Sequence, residues 1–181
     1  DIEADASGGR YCWGVSCSDE GVEVANGPLT GWQIDAQFPR FLAQRREVSR
    51  QTDLGDSIMT AIVLAPLADR PTSFTDLGRL RVQECERVQS LRTELEKCGA
   101  KIIEEGDTLH IEPSPVLHGA EIETYHDHRM AMCFALLGLK VPGTRLRNPA
   151  CPKKTYPRFC QKIAAPPPHA LGAESPGPAR N

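Results

Sequence analysis

Two helix-length segments with almost no polar face constrain the fold of this chain more than any other feature. Residues 57–67 are apolar almost all round, behind an Asp56 or Ser57 suited to cap a helix, and residues 130–139 form the longest apolar run. A helix that is hydrophobic on every side must be covered on every side, and neither segment has the roughly 20 residues that cross a bilayer. The segments predict two buried core helices of an α/β (α+β) domain, and no membrane association.

Shorter signals around these two helices predict a repeated unit. An amphipathic helix is expected over residues 84–98, where apolar side chains recur at three- and four-residue steps and Gly99 follows. We also expect strands over residues 71–75, 120–124 and 144–147, a hairpin of residues 101–103 and 108–111, and a closing helix over residues 157–163. This order predicts β-α-β-α-β-β units, the last of which lacks two strands and leaves an open sheet edge.

Composition divides the chain into one domain and a tail. Of the last sixteen residues, five are proline and two are glycine, which predicts a disordered tail over residues 165–181 and a domain over residues 1–164. Residues 44–53 are nearly all polar and are expected to form an exposed connector. The chain begins at Asp1 without a methionine, and we interpret it as a piece of a longer protein.

Charge and cysteine content exclude several classes of function. The formal net charge of -3 favours no general attraction to nucleic acid. The seven cysteines include no C-x-x-C pair, which argues against a zinc site. Several of them fall on apolar helix faces, as free thiols of a reduced compartment do. We therefore predict a cytoplasmic protein, or a stromal one if the source has plastids.

Polar side chains gather at the start of three predicted helices. Glu84 and Arg87 are expected on one face of the first turn of the 84–98 helix, and His128 and Arg129 open the second apolar helix. Lys154 precedes the closing helix. Arginine binds carboxylate or phosphate as a bidentate fork, and helix N-termini attract anions. The sequence therefore predicts an anion site.

Each of these residues also has a purely structural interpretation. Asp56 is a favoured helix cap, and Glu84 with Arg87 is compatible with a solvated pair on the helix surface. The His126-Asp127-His128 run resembles a metal cluster, but adjacent residues on a loop rarely converge on one ion, so no metal is predicted. Lys154 is compatible with a solvated turn.

Three ordered motifs resemble the enolpyruvylshikimate-phosphate synthase family. They are Asp-His-Arg-Met-Ala-Met at 127–132, Leu-Arg-Val-Gln-Glu-Cys-Glu-Arg at 80–87 and Lys-Thr-Tyr-Pro at 154–157. The similarity is close over residues 53–164 and weaker over residues 1–42. Gln83 stands where the family usually has lysine. The resemblance implies one domain of a two-domain fold, each domain built from β-α-β-α-β-β units around buried parallel helices, and this chain resembles the C-terminal domain only.

The resemblance also implies an activity. The family moves the enolpyruvyl group of phosphoenolpyruvate to shikimate 3-phosphate and releases phosphate, in the shikimate pathway to chorismate and the aromatic amino acids, with no metal or organic cofactor. By similarity, Arg87, His128, Arg129 and Lys154 bind substrate. Asp56 takes the proton of the attacking hydroxyl, and Glu84 and Lys154 assist protonation of the enol carbon and phosphate departure.

Two other functions compete with this prediction. The enolpyruvyl transferase of cell-wall synthesis shares the fold but lacks the His-Arg-Met-Ala-Met run that is present here at 128–132. A non-catalytic remnant, inactive without the missing N-terminal domain, is the second alternative. Gln83 and a segment at 44–51 that is shorter than in the family favour that alternative.

Overall fold

A computed structural model describes residues 46–148 of the chain. Its three helices are α1 (Ile58–Leu64), α2 (Arg87–Lys97) and α3 (His128–Lys140). Its six strands are β1 (Glu47–Ser49), β2 (Thr72–Thr75), β3 (Lys101–Glu105), β4 (Thr108–Glu112), β5 (Glu121–Ile122) and β6 (Arg145–Leu146). The predicted Lys154, closing helix and tail lie outside the described residues.

The nine helices and strands of the described residues make one complete β-α-β-α-β-β unit, from β1 to β4, and the start of another, from β5 to β6. β1 pairs parallel with β2, and the antiparallel β3–β4 hairpin joins the sheet through β4, in the order β1-β2-β4-β3. β5 and β6 form a separate parallel pair on either side of α3. The α/β fold class is therefore confirmed.

The two apolar helices lie in the core, as predicted. Every residue of α1 is buried, and α1 packs against α3, whose buried side chains run from Met130 to Leu137. α1 is shorter than predicted because single turns of 3-10 helix, Gly55–Ser57 and Ala65–Leu67, flank it. Ser57 occupies the N-cap position but its side chain makes no capping hydrogen bond there. Within residues 46–148, no helix combines the length and hydrophobicity needed to cross a membrane.

The predicted exposed connector over residues 44–53 is partly wrong within the part that the structure describes: four of residues 46–53 are exposed and only Val48 is buried, but the segment has regular structure. Residues 47–49 form β1, where Val48 is buried, and a π-helical turn (Arg50–Leu54) follows with Leu54 buried. A three-residue strand with one apolar side chain is too short to show an alternating pattern. Hydrogen bonding to β2, not side-chain hydrophobicity, makes this segment a strand.

The predicted start of the amphipathic helix at Glu84 is also wrong. Glu86 caps the helix by accepting from the Gln89 N–H, so α2 begins at Arg87. Glu84 therefore lies before the helix, and it does not share a helical turn with Arg87. The β3–β4 hairpin is confirmed, with a tight turn at Gly106 and Asp107.

A close approach of two backbone segments beside the β5–β6 pair predicts opposite effects for two glycines. A Cβ on Gly119 would lie 2.1 Å from the carbonyl carbon of Gly143, whereas one on Gly138 would meet only the Thr144 side chain at 3.5 Å. We expect Gly119→Ala to lower the free energy of unfolding by about 1–3 kcal/mol. Gly138→Ala, inside α3, should raise it by up to about 1 kcal/mol. Chemical denaturation of both variants checks this, and equal effects would contradict the close approach.

Candidate anion site at the start of the third helix

The N-terminus of α3 is organised by Asp127. Its Oδ1 accepts from the backbone N–H of Arg129 at 2.8 Å, which caps the helix, and its Oδ2 accepts from Arg87 Nε at 2.6 Å. Both partners of this ion pair are buried, with Arg87 2% and Asp127 0% exposed. One carboxylate thus joins the starts of α2 and α3.

Charge and burial act in opposite directions on the Asp127 carboxyl. Burial alone would raise its pKa, but the hydrogen bond and positive charge of Arg87, with the Arg129 N–H, hold the pKa below its usual range. Burial would lower the pKa of Arg87, but the hydrogen bond and negative charge of Asp127 raise it overall. The pair is therefore ionised over the neutral range.

Arg87 is not part of a solvated surface pair, so that interpretation is wrong. Besides Asp127, its Nη1 donates to the Gln83 side-chain oxygen. Gln83 thus acts as an acceptor for Arg87, a role that a lysine at this position would not fill because an ammonium group only donates.

Asp56 and Arg129 face each other across the site. Arg129 Nη2 lies 3.3 Å from Asp56 Oδ2, and Arg50 Nη2 donates to Asp56 Oδ1 at 2.7 Å. Burial would raise the pKa of Asp56, but the Arg50 hydrogen bond and the charges of Arg129, Arg50 and Arg87 lower it overall. These pairings favour a role for the Asp56 carboxylate in the site over a role as a helix cap.

Arg129 has a donor that the described part of the protein leaves unused. Its Nη1 is buried and has no hydrogen-bond partner within residues 46–148. A buried donor without an acceptor costs about 1–3 kcal/mol. Such a donor next to a helix N-terminus is suited to an anionic ligand.

Glu84 and His128 lie at the exposed side of the site. Glu84 Oε2 is 3.7 Å from His128 Nδ1, and the Glu84 side chain is 56% exposed. Glu84, Asp127 and His128 bring potential metal-ligand atoms within 4.8 Å of one another. Both oxygens of Asp127 already accept hydrogen bonds from Arg87 and the Arg129 N–H, so an ion would compete with the pair that joins the two helices. The absence of a metal cofactor stays a prediction.

The residues just before Asp127 are held in an uncommon conformation. Tyr125 and His126 both have positive φ, 52° and 56°, which costs about 1–3 kcal/mol for each residue. The Tyr125 hydroxyl donates to the buried Glu94 at 2.7 Å, and Glu94 also accepts from the backbone N–H of Glu123. α2 therefore holds both ends of the short segment that leads into the site.

Arg81, in the motif at 80–87, has a supporting role. It contacts Glu86, Glu104 and Asp107 at 2.7–2.9 Å and so ties the start of α2 to the β3–β4 hairpin. Burial and the charge of the nearby Asp127 raise the pKa of the Cys85 thiol to about 11, which disfavours the thiolate at neutral pH. Within residues 46–148, Cys85 and Cys98 are free thiols.

The structure brings together five of the six predicted site residues, around Asp56, Arg87 and Arg129. Lys154 lies outside the described residues. Sequence reasoning missed Arg50, which lay in the supposed connector, and gave Asp127 no role beyond a rejected metal cluster. The role of Asp127 as a helix cap could have been predicted, because an aspartate directly before an apolar helix is a favoured N-cap residue. Arg50 had no such signal, because its contact with Asp56 depends on the π-helical turn.

Comparisons with known proteins agree with the motifs. A protein-family model described as EPSP synthase (3-phosphoshikimate 1-carboxyvinyltransferase) matches residues 37–163. The 3-phosphoshikimate 1-carboxyvinyltransferase of Pseudomonas syringae pv. syringae (strain B728a) is 38% identical over 177 residues, which are 91% of this chain and 41% of the relative. The enzyme of that name from Nostoc punctiforme is 44% identical over 107 residues, 59% of this chain and 25% of the relative.

A solved structure shows the same relationship. The EPSP synthase from Acinetobacter baumannii superposes with a TM-score of 0.55 and 29% identity, over 60% of this chain and 27% of that one. This chain thus spans about two fifths of the length of the Pseudomonas relative. Since the family model covers more than half of the residues, the chain belongs to the EPSP synthase family.

Proposed function

We propose that this chain is the phosphoenolpyruvate-binding part of a shikimate-pathway enolpyruvyl transferase, and that it works with a second domain that carries most contacts to shikimate 3-phosphate. The observation that carries the proposal is the Arg129 guanidinium. Its Nη2 contacts the Asp56 carboxylate, and its buried Nη1 has no hydrogen-bond partner within residues 46–148. Arg87, which is ionised and buried at the start of α2, adds a second positive charge near Arg129.

The proposed chemistry needs positive charge and two sites of proton transfer. Arg87, Arg129 and Lys154 hold the phosphate and carboxylate of phosphoenolpyruvate, with His128 beside them. Asp56 accepts the proton of the attacking shikimate hydroxyl as the new carbon–oxygen bond forms. A proton from Glu84 or Lys154 reaches the enol carbon, which gives a tetrahedral intermediate. Loss of a proton from that carbon and departure of inorganic phosphate from its neighbour restore the carbon–carbon double bond, now as an enol ether.

The position of Glu84 fits this sequence of steps. Glu84 is exposed in the isolated chain and lies at the open side of the site, next to His128. Closure of a second domain over this side would remove water from Glu84 and strengthen its electrostatic interactions with substrate. The reaction therefore depends on the partner domain, and we propose that the chain alone is inactive.

Complementation tests the proposal. The chain is coexpressed with the N-terminal domain of the Pseudomonas syringae relative, and phosphate release is measured with both substrates. We expect release from the pair and none from either half alone. If both halves are folded and the pair releases no phosphate, the non-catalytic alternative is correct.

A further inference from the structure

Arg50 is fixed beside Asp56 by a turn that is closed at both ends. The Ser49 hydroxyl accepts from the N–H groups of Gln51 and Thr52 at 3.1 and 3.2 Å, and the Ser49 N–H donates to Asp53 at 2.8 Å. Gly55, at a φ of 53°, ends the turn with its N–H on the Arg50 carbonyl. The position of Arg50 thus follows from backbone contacts and does not depend on a ligand.

The two oxygens of Asp56 are divided between two arginines. Arg50 makes the shorter contact, 2.7 Å to Oδ1, and its side chain is 14% exposed. Arg129 makes the longer one, 3.3 Å to Oδ2. Charge-assisted hydrogen bonds of about 2.7–2.9 Å are the strong ones. Of the two arginines, Arg129 is therefore the one held less tightly by Asp56.

A carboxylate that takes a proton from a substrate hydroxyl needs one oxygen free and a fixed orientation. In this structure both oxygens contact arginines, so one contact has to open before the reaction. Arg50 Nε and Arg129 Nη1 are both buried without a hydrogen-bond partner within residues 46–148, so the contact lengths distinguish the two arginines, and the longer contact, to Arg129, is the one expected to open. Movement of Arg129 onto a substrate anion frees Oδ2 and leaves Oδ1 bound to Arg50.

We propose that Arg50 is a positioning residue, which keeps Asp56 ionised and oriented while Arg129 turns from Asp56 to the substrate. This inference rests on the proposed function of Asp56 as the acceptor of the hydroxyl proton. Arg50 itself touches no reacting atom. Its role is to supply the positive charge that Asp56 would otherwise lose when Arg129 moves.

The charges around Asp56 support this division. Arg50 faces it from the turn after β1, Arg129 from α3 and Arg87 from α2. Arg87 is already paired with Asp127 at 2.6 Å. Once Arg129 has turned away, Arg50 is the cation that opposes the effect of burial on the pKa of Asp56.

The first test measures Asp56 directly, in the full chain without partner domain or substrate. Carbon-13 NMR of the Asp56 carboxyl is followed against pH in Arg50→Gln, with Arg46→Gln as a matched control because Arg46 is exposed on the same segment. We expect the midpoint to move to higher pH in Arg50→Gln and to stay in place in Arg46→Gln. Arg129→Gln should move it less than Arg50→Gln does. An unchanged midpoint in Arg50→Gln, or a larger change in Arg129→Gln, would overturn the proposal.

The second test uses the complemented enzyme. Arg50→Gln should lower kcat by about 10²-fold through misplacement of Asp56 and move the acid limb of the kcat profile to higher pH, with little change in the KM for phosphoenolpyruvate. Arg50→Lys, which keeps the charge and guards against misfolding, should recover part of both effects. A raised KM with an unmoved pH profile would contradict the positioning role. If the wild-type pair is inactive but the NMR midpoint still moves, the proposed function fails and the hold of Arg50 on Asp56 is confirmed.

Discussion

Replacing Asp127 with alanine is expected to lower the free energy of unfolding by about 3–5 kcal/mol, because Arg87 would keep its charge in a buried position without its partner. The 2.6 Å contact between them is completely buried on the aspartate side. The same substitution removes the cap on the Arg129 N–H at the start of α3. A loss of this size is a large fraction of the stability of an ordinary domain.

The sign of the pH dependence follows from the direction of the Asp127 shift. Its pKa is held down in the folded chain by Arg87, so the unfolded chain binds the proton more readily. The stabilisation is therefore fully present above the ordinary aspartate pKa of about 4 and is lost as the pH falls through the lower folded value. Asp127→Asn should flatten this acid limb, since the amide does not titrate.

Urea denaturation across this pH range, with Glu121→Gln as the control, checks both statements. Glu121 also contacts an arginine, Arg147 at 3.7 Å, but both side chains are about two-thirds exposed. Its replacement should change stability by less than about 1 kcal/mol. A loss at Asp127 as small as the loss at Glu121 would mean that the buried pair does not join α2 to α3.

Replacing Arg129 with glutamine is expected to reduce phosphate release by the complemented enzyme by about 10²–10³-fold or more. The substitution removes the charge on the anion side of the site and the buried nitrogen that has no partner within residues 46–148. It also frees Asp56 from one of its two arginines. Arg129→Lys should recover little of the activity, because an ammonium group cannot make the bidentate contact that a guanidinium makes with an anion.

Steady-state kinetics of phosphate release checks this result, with Arg145→Gln as the matched control. Arg145 is exposed on β6 and is outside the proposed site. We expect Arg145→Gln to retain full activity when circular dichroism shows that both variants are folded. Retained turnover in Arg129→Gln would contradict the proposal that Arg129 binds the substrate anion, whatever the activity of the control.

The comparison of α1 with β1 shows which parts of the fold the sequence predicts. α1 and α3 were predictable because a continuous apolar run leaves few alternatives to a buried helix. The hairpin turn at Gly106 was predictable for a similar local reason, since its φ of 57° favours glycine. β1 was not predictable, because three residues with one buried side chain become a strand only through pairing with β2.

The site divides in the same way. The motifs at 80–87 and 127–132 predicted a common anion site for Arg87 and Arg129, which stays a prediction, and the family match agrees with the motifs themselves. The motifs did not show that Arg87 pairs with Asp127 instead of Glu84. That choice depends on the side-chain cap of Glu86, which starts α2 at Arg87 and leaves Glu84 exposed.

The sequence by itself therefore determined the family, the buried helices and the basic character of the site, because these depend on residue type and local spacing. Only the tertiary structure decided which acidic and basic side chains form ion pairs with each other. Asp56 lies between Arg50 and Arg129, which come from separate elements far apart in the chain. The strength of an ionic contact depends on distance and burial, and both arise only when β1, α1 and α3 pack together.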